Sequence, residues 1–77
     1  MALIRTFDKV SRNRYTVHGE VGCEVSAFVA NGKTYLQFDT GGSRTRKLKG
    51  KTSQSIQADE DSAAAMLALL RATFKVR

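Results

Sequence analysis

Two alternating runs, CEVSAFVA and KTYLQFDT, flank Asn31-Gly32. That dipeptide between alternating segments is the strongest short cue for a two-residue β-hairpin turn. Such a turn dictates the cross-strand register. Ala30 faces Lys33, Val29 faces Thr34, Phe28 faces Tyr35, Ala27 faces Leu36, Ser26 faces Gln37, Val25 faces Phe38, and Glu24 faces Asp39. The pairs sort into two faces, and a slip of one residue would exchange them. Val25, Ala27, Val29, Leu36 and Phe38 form an apolar face that reads as core. Glu24, Ser26, Phe28, Tyr35, Gln37 and Asp39 form a polar face that displays two aromatic rings.

The remaining segments are read against this hairpin. ALIRTFD (2–8) suits a short strand, and KVSRN (9–13) a polar connection. RYTVHGEVG (14–22) alternates, with Tyr15, Val17 and Val21 on one side, so it predicts a strand that Gly19 and Gly22 bulge, bend or break. Residues 41–50 form a basic loop, and KTSQSIQ (51–57) reads as a further strand whose one apolar residue is Ile56. In ADEDSAAAMLALLRATF, the residues Ala63, Met66, Leu67, Leu70 and Phe74 recur at helical spacing. Asp59 is a good N-cap, and Glu60 and Asp61 suit the positive end of the helix dipole. A helix is predicted from about residue 59 to about residue 74. The expected fold is one α+β domain over residues 1–77. It has a curved antiparallel sheet of about four to five strands and one C-terminal helix packed on one face. The other face is left for water, a second subunit or a ligand.

Charge adds a location to this picture. Of 77 residues, 13 are Lys or Arg and 7 are Asp or Glu, a net charge of +6. Residues 31–51 account for most of it, with Lys33, Arg44, Arg46, Lys47, Lys49 and Lys51 against Asp39 alone. A concentrated positive field attracts polyanions, nucleic acid first, then an acidic protein or a membrane surface. The N-terminal segment reads as neither signal peptide nor anchor, and no segment is apolar enough to span a membrane, so a cytoplasmic protein is expected. The single cysteine excludes an internal disulfide and suits a reducing compartment.

Catalysis and metal binding find little support. His18 and Cys23 are each the sole residue of their type. On regular strands they point to opposite faces, and Cys23 aligns with Val25 and Ala27, as a buried structural thiol would. Gly32-Lys33-Thr34 and Gly50-Lys51-Thr52 lack the earlier glycine and the following helix that a phosphate-binding loop requires. Glu24 opposite Asp39 is a destabilising like-charge pair unless Arg44 or Arg46 folds back on it or a metal ion sits there. The expectation is a non-enzymatic protein without cofactor, metal or small-molecule substrate.

Basic side chains beside exposed aromatics are the combination that holds single-stranded nucleic acid: cations for phosphates, rings for stacked bases. The candidate contacts are Phe28, Tyr35, Gln37, Arg44, Arg46, Lys47, Lys49, Lys51 and Ser53. A two-aromatic face is also what a small homodimer interface presents.

From Lys33 onward, KTYLQFDT, the basic loop and KTSQSIQADEDSAAAMLALLRATF resemble the single-stranded DNA-binding domain of the positive cofactor four family, over about 45 of the 77 residues. The step Ser55-Ile56-Gln57 before Ala58-Asp59-Glu60 carries the likeness most clearly. The resemblance implies a homodimer with its helices on one side and DNA across the open sheet faces. Tyr35 and Gln37 would lie on the DNA side, Lys51 and Ser53 on the polar strand, and Arg44 to Lys49 in the contacting loop. The helix here lacks the tryptophan common in that family, and no aromatic accompanies Gly41-Gly42. The string LQFDTGGSRTRKLKGKTSQSIQ is also similar to short bacterial and phage proteins. The expected function is nucleic-acid binding, to single-stranded DNA or RNA with single-stranded DNA preferred and little sequence specificity, as an accessory factor in transcription or replication. The alternative is a phage- or plasmid-type interaction module or inhibitor that grips an acidic protein surface.

Overall fold

The computed structural model describes residues 1–43 and 53–75. Four strands and one helix follow in the order β1 (Ala2–Ile4), β2 (Val21–Ala30), β3 (Lys33–Ser43), β4 (Gln54–Ala58) and α1 (Glu60–Phe74). They form one sheet in the spatial order β1-β4-β3-β2, followed by the C-terminal helix. This is the expected α+β architecture. Asn31 and Gly32 both take positive φ, 52° and 75°, the primed turn that matches the right-handed strand twist. The register follows, with Ala30 opposite Lys33 and every pair through Glu24–Asp39 as the sequence implies.

Four features differ from the expectation. The sheet is mixed: β3–β4 is antiparallel, but β1 runs parallel to β4, with Ala2 opposite Ile56 and Ile4 opposite Ala58. Residues 5–20 therefore carry the chain from one sheet edge to the other, about 14 Å across three strand gaps. Employed as a crossover, residues 14–20 form no strand despite their alternation, and the Tyr15 hydroxyl instead accepts the Arg12 backbone N–H at 2.8 Å. The register irregularity between Val21 and Cys23 places the extra residue on β3, at Gly41-Gly42, rather than at Gly22. Strand β4 begins at Gln54, later than the expected Lys51, which lies outside the described residues along with Arg44 to Lys49.

The helix begins as its sequence demands. Asp59 Oδ1 accepts the Ser62 backbone N–H at 2.9 Å, and Ser62 Oγ accepts the Asp59 N–H at 3.0 Å. Two otherwise unpaired donors are satisfied reciprocally, a capping box with Ser62 at the position usually held by Glu or Gln. Arg5 adds an ion pair to Asp59 at 2.8 Å, which ties the end of β1 to the helix start. The Ser62 hydrogen bond, with Arg5 assisting, holds the Asp59 carboxyl below its ordinary value. Lys75 closes the other end in the left-handed conformation, its N–H donating to the Arg71 carbonyl.

The packing of α1 departs from the predicted stripe. The helix meets the sheet along β4, with Ser62 buried and Ala63, Met66 and Leu69 half-buried. Leu67, Leu70 and Phe74 lie on the solvent side, Phe74 at 67% exposure. Ala58 is the one fully buried apolar residue among those described. An open cleft of about 360 Å³, lined by Ala27, Leu36, Ala58 and Ala63, separates the first helical turn from the hairpin. Val25 and Val29, expected in the core, are 56% and 70% exposed. Cys23 is exposed as well, so it is not the buried thiol its alternation suggests. The cause is common to all three: β2 is an edge strand, and among the described residues none covers its half of the apolar face.

Candidate nucleic-acid interface

The polar sheet face is built from alternate residues of β2, β3 and β4. Phe28 and Tyr35 meet as the next cross-strand pair on this face after the turn-closing Ala30–Lys33. Their ring centroids are 5.3 Å apart and the planes differ by 20°, an offset stack. Such pairs contribute about 0.5–1.5 kcal/mol beyond the area they cover. Phe28 remains 37% exposed and Tyr35 is half-buried, so the pair presents ring surface at the turn end of the face.

Next along the same face runs a row of hydrogen-bonded side chains. Gln57 Nε2 donates to Gln37 Oε1 at 2.7 Å, and Gln37 Nε2 donates to both Asp39 oxygens at 3.0 and 3.1 Å. Ser55 Oγ donates to Asp39 Oδ1 at 2.7 Å. The register creates this row, because Gln37 pairs with Gln57 and Asp39 with Ser55 across β3–β4. Asp39 is the common acceptor. The hydrogen bonds from Ser55 and Gln37 favour its ionised form and hold its carboxyl below the ordinary value. A shallow depression of about 290 Å³ opens beside the row, lined by Met1, Ala2, Leu3, Gln37, Ser55 and Gln57.

The like-charge pair Glu24–Asp39 is real in register. Asp39 is turned into two donors, Ser55 of β4 and Gln37 of its own strand. The alternative partners Arg44 and Arg46 lie outside the described residues.

Ser53, an expected ligand contact, is held by two hydrogen bonds to β3. Its backbone N–H donates to Thr40 O at 2.7 Å and its Oγ to Gly41 O at 3.2 Å. These bonds close the neck from which the basic segment leaves the sheet.

Of the expected contacts, Phe28, Tyr35 and Gln37 share one face, and Ser53 stands at its far end. Arg44, Arg46, Lys47, Lys49 and Lys51 lie outside the described residues. Tyr35 and Ser43, the root of the basic segment, are eight residues apart on one strand, about 27 Å in extended conformation. Aromatics and loop root therefore occupy opposite ends of the face, with the amide row between them. Sequence reading overlooked Gln57 as a member of the row. The signal was its position one step beyond Ile56, on the same face as Gln37 once the β3–β4 register is known.

Among the described residues no group of three His, Cys, Asp or Glu side chains converges as a metal site would require, and His18 is exposed on the crossover segment. No described helix is long and apolar enough to cross a membrane. Compared with protein-family models, with curated proteins and with solved structures, the chain matches none of them.

Proposed function

We propose that this protein binds single-stranded nucleic acid, DNA in preference to RNA, with little sequence specificity and without catalysis. The observation that carries the reading is the Phe28–Tyr35 stack on a sheet face that the helix leaves open, continued by the Gln57–Gln37–Asp39–Ser55 row. Aromatic rings accept bases of any identity, because every base has a π-face. The polar row borders the path with neutral amides. The face is about 27 Å long from Tyr35 to the root of the basic segment, which suits a polymer rather than a single nucleotide. Five of the thirteen Lys and Arg residues fall in positions 44–51 and supply charge for phosphates. Glu24 and Asp39 repel phosphate at mid-face, so the backbone of the ligand would run along the edges of the sheet and its bases over the centre. A second copy of the chain belongs to the same proposal, as the resemblance to the positive cofactor four family implies, and so do the cytoplasm and a role in transcription or replication.

A salt-titrated binding assay with a short single strand, a duplex and an RNA of equal length tests it. The expected result is tightest binding to single-stranded DNA, falling steeply with salt as counterions are released. Undetectable or salt-independent binding at low ionic strength overturns it. Retention of an acidic protein by nuclease-treated material, without nucleic-acid binding, would favour the interaction-module reading.

A further inference from the structure

Strand β2 lies at one edge of the sheet and is ten residues long, and all of it except Ala30 is exposed. Sheet edges of this length are normally shielded by lysine, proline, a bulge or a covering segment, since unpaired N–H and C=O groups recruit another strand. VGCEVSAFVA contains no proline and no lysine, and its one charge is Glu24. The extra residue at the Val21/Cys23 irregularity sits on β3, so β2 itself stays regular. The opposite edge, β1, is only three residues long.

The hairpin turn decides which backbone groups are available. In a two-residue hairpin the closing pair, here Ala30–Lys33, exchanges hydrogen bonds, and bonded pairs then alternate. Ala30, Phe28, Ser26 and Glu24 therefore direct their N–H and C=O groups toward β3. Val29, Ala27, Val25, Cys23 and Val21 direct theirs outward. These outward residues are also the apolar row, of which Val21, Val25 and Val29 are 47%, 56% and 70% exposed. Among the described residues, one strand thus offers unpaired backbone and uncovered apolar side chains at the same positions.

We propose that β2 pairs antiparallel with β2 of a second copy of this chain, about a two-fold axis at Val25. This register sets Val25 against Val25, Cys23 against Ala27, and Val21 against Val29, so every outward backbone group in the row finds a partner. It matches apolar side chains on one face and sets Glu24 against Ser26 on the other. A register centred on Glu24 would oppose two carboxylates, and one centred on Ser26 would leave Val21 beyond the partner's Val29. An axis between residues would set apolar against polar faces.

A foreign extended peptide could use the same edge, but it would have no reason to repeat this chain's own spacing of apolar residues. The pairing does not depend on nucleic-acid binding, and either can fail without the other.

The test uses the native Cys23 with Ala27→Cys in the full chain, oxidised by glutathione disulfide at micromolar protein concentration. The register brings Cys23 of one copy opposite position 27 of the other, at a Cα separation of about 5.5 Å that a disulfide can span. A covalent dimer on a non-reducing gel is expected for Ala27→Cys and not for Ser26→Cys, whose thiol lies on the other face. Sedimentation of the unmodified chain should give twice the 8.5 kDa monomer mass. In Ala27→Pro, which removes an outward N–H only, it should give the monomer mass with the helical circular dichroism retained. A monomeric wild-type chain, or equal cross-linking through positions 26 and 27, overturns the proposal. Should the proline variant not fold, the two cysteine variants still decide it.

Discussion

Ser55 Oγ donates a hydrogen bond to Asp39 Oδ1 at 2.7 Å, across the pair that joins β4 to β3. On its other side Asp39 faces Glu24 in β2. The carboxylate sits between a like charge and two donors, and the hydrogen bonds from Ser55 and then Gln37 lower its pKa from the ordinary 3.8. A carboxyl whose folded pKa is depressed stabilises the fold above its unfolded value, and the contribution is lost as pH falls through the folded value. Ser55→Ala removes the largest cause of the shift. The variant should be less stable than wild type at neutral pH, with the gap closing below about pH 4. Urea midpoints at pH 7 and pH 3 check this, and a gap that persists unchanged at pH 3 would show that the hydroxyl acts independently of the Asp39 charge.

Tyr35 is the better of the two rings for a nucleic-acid test, because Phe28 lies on the strand proposed to pair with a second copy. If a base stacks on it, Tyr35→Ala weakens single-strand affinity by about 1–3 kcal/mol, roughly 5- to 150-fold in Kd, while Tyr35→Phe keeps most of the affinity. A fluorescence-anisotropy titration of a labelled oligonucleotide reads both. Equal losses in the two variants would mean that the hydroxyl, not the ring, carries the interaction.

The basic segment makes a separable claim. Replacing Arg44, Arg46, Lys47 and Lys49 with glutamine should lower the slope of log K against log salt by about 0.7 for each single-strand phosphate that is no longer neutralised. The thermal transition should barely move, since surface charges contribute little to stability. An unchanged slope would place the phosphates elsewhere on the chain.

Ser62 offers a test of the fold alone. Its side chain is buried at 1% exposure and closes the capping box with Asp59. Ser62→Ala leaves the Asp59 N–H without its acceptor and should cost about 1–2 kcal/mol. In a domain of this size each kcal/mol lowers Tm by roughly 4–8 °C. Circular dichroism at 222 nm would follow the loss, and Ser62→Thr should recover part of it.

How much was legible in the sequence varied with how local the cause was. The hairpin was fully legible, because Asn31-Gly32 dictates the turn and the turn dictates the register from Glu24–Asp39 to Ala30–Lys33. The start of the helix was legible as well, because Asp59 caps it and Glu60 and Asp61 follow in its first turn, whereas the part of Ser62 in the cap emerged only from the structure. The Phe28–Tyr35 contact followed from register alone. By contrast, RYTVHGEVG alternates without forming a strand over residues 14–20, since alternation describes a candidate face and supplies no neighbour to pair with. Strand β1 is too short to show any period, so its parallel partnership with β4 could not be read.

By itself, the sequence determined the elements whose partners lie a few positions away: the turn, the hairpin register, the helix cap and the crowding of positive charge between residues 31 and 51. Tertiary structure alone decided which strands became neighbours. That choice put Gln57 beside Gln37 and Ser55 beside Asp39, and sent residues 5–20 across the sheet. It also left β2 at an edge with Val25 and Val29 uncovered. The physical reason is the range of the interactions. Backbone geometry and capping act within a few residues, whereas strand order depends on contacts between distant residues, from 16 positions apart for Ser55 and Asp39 to the pairing of Ala2 with Ile56, which leave no periodic trace in the chain.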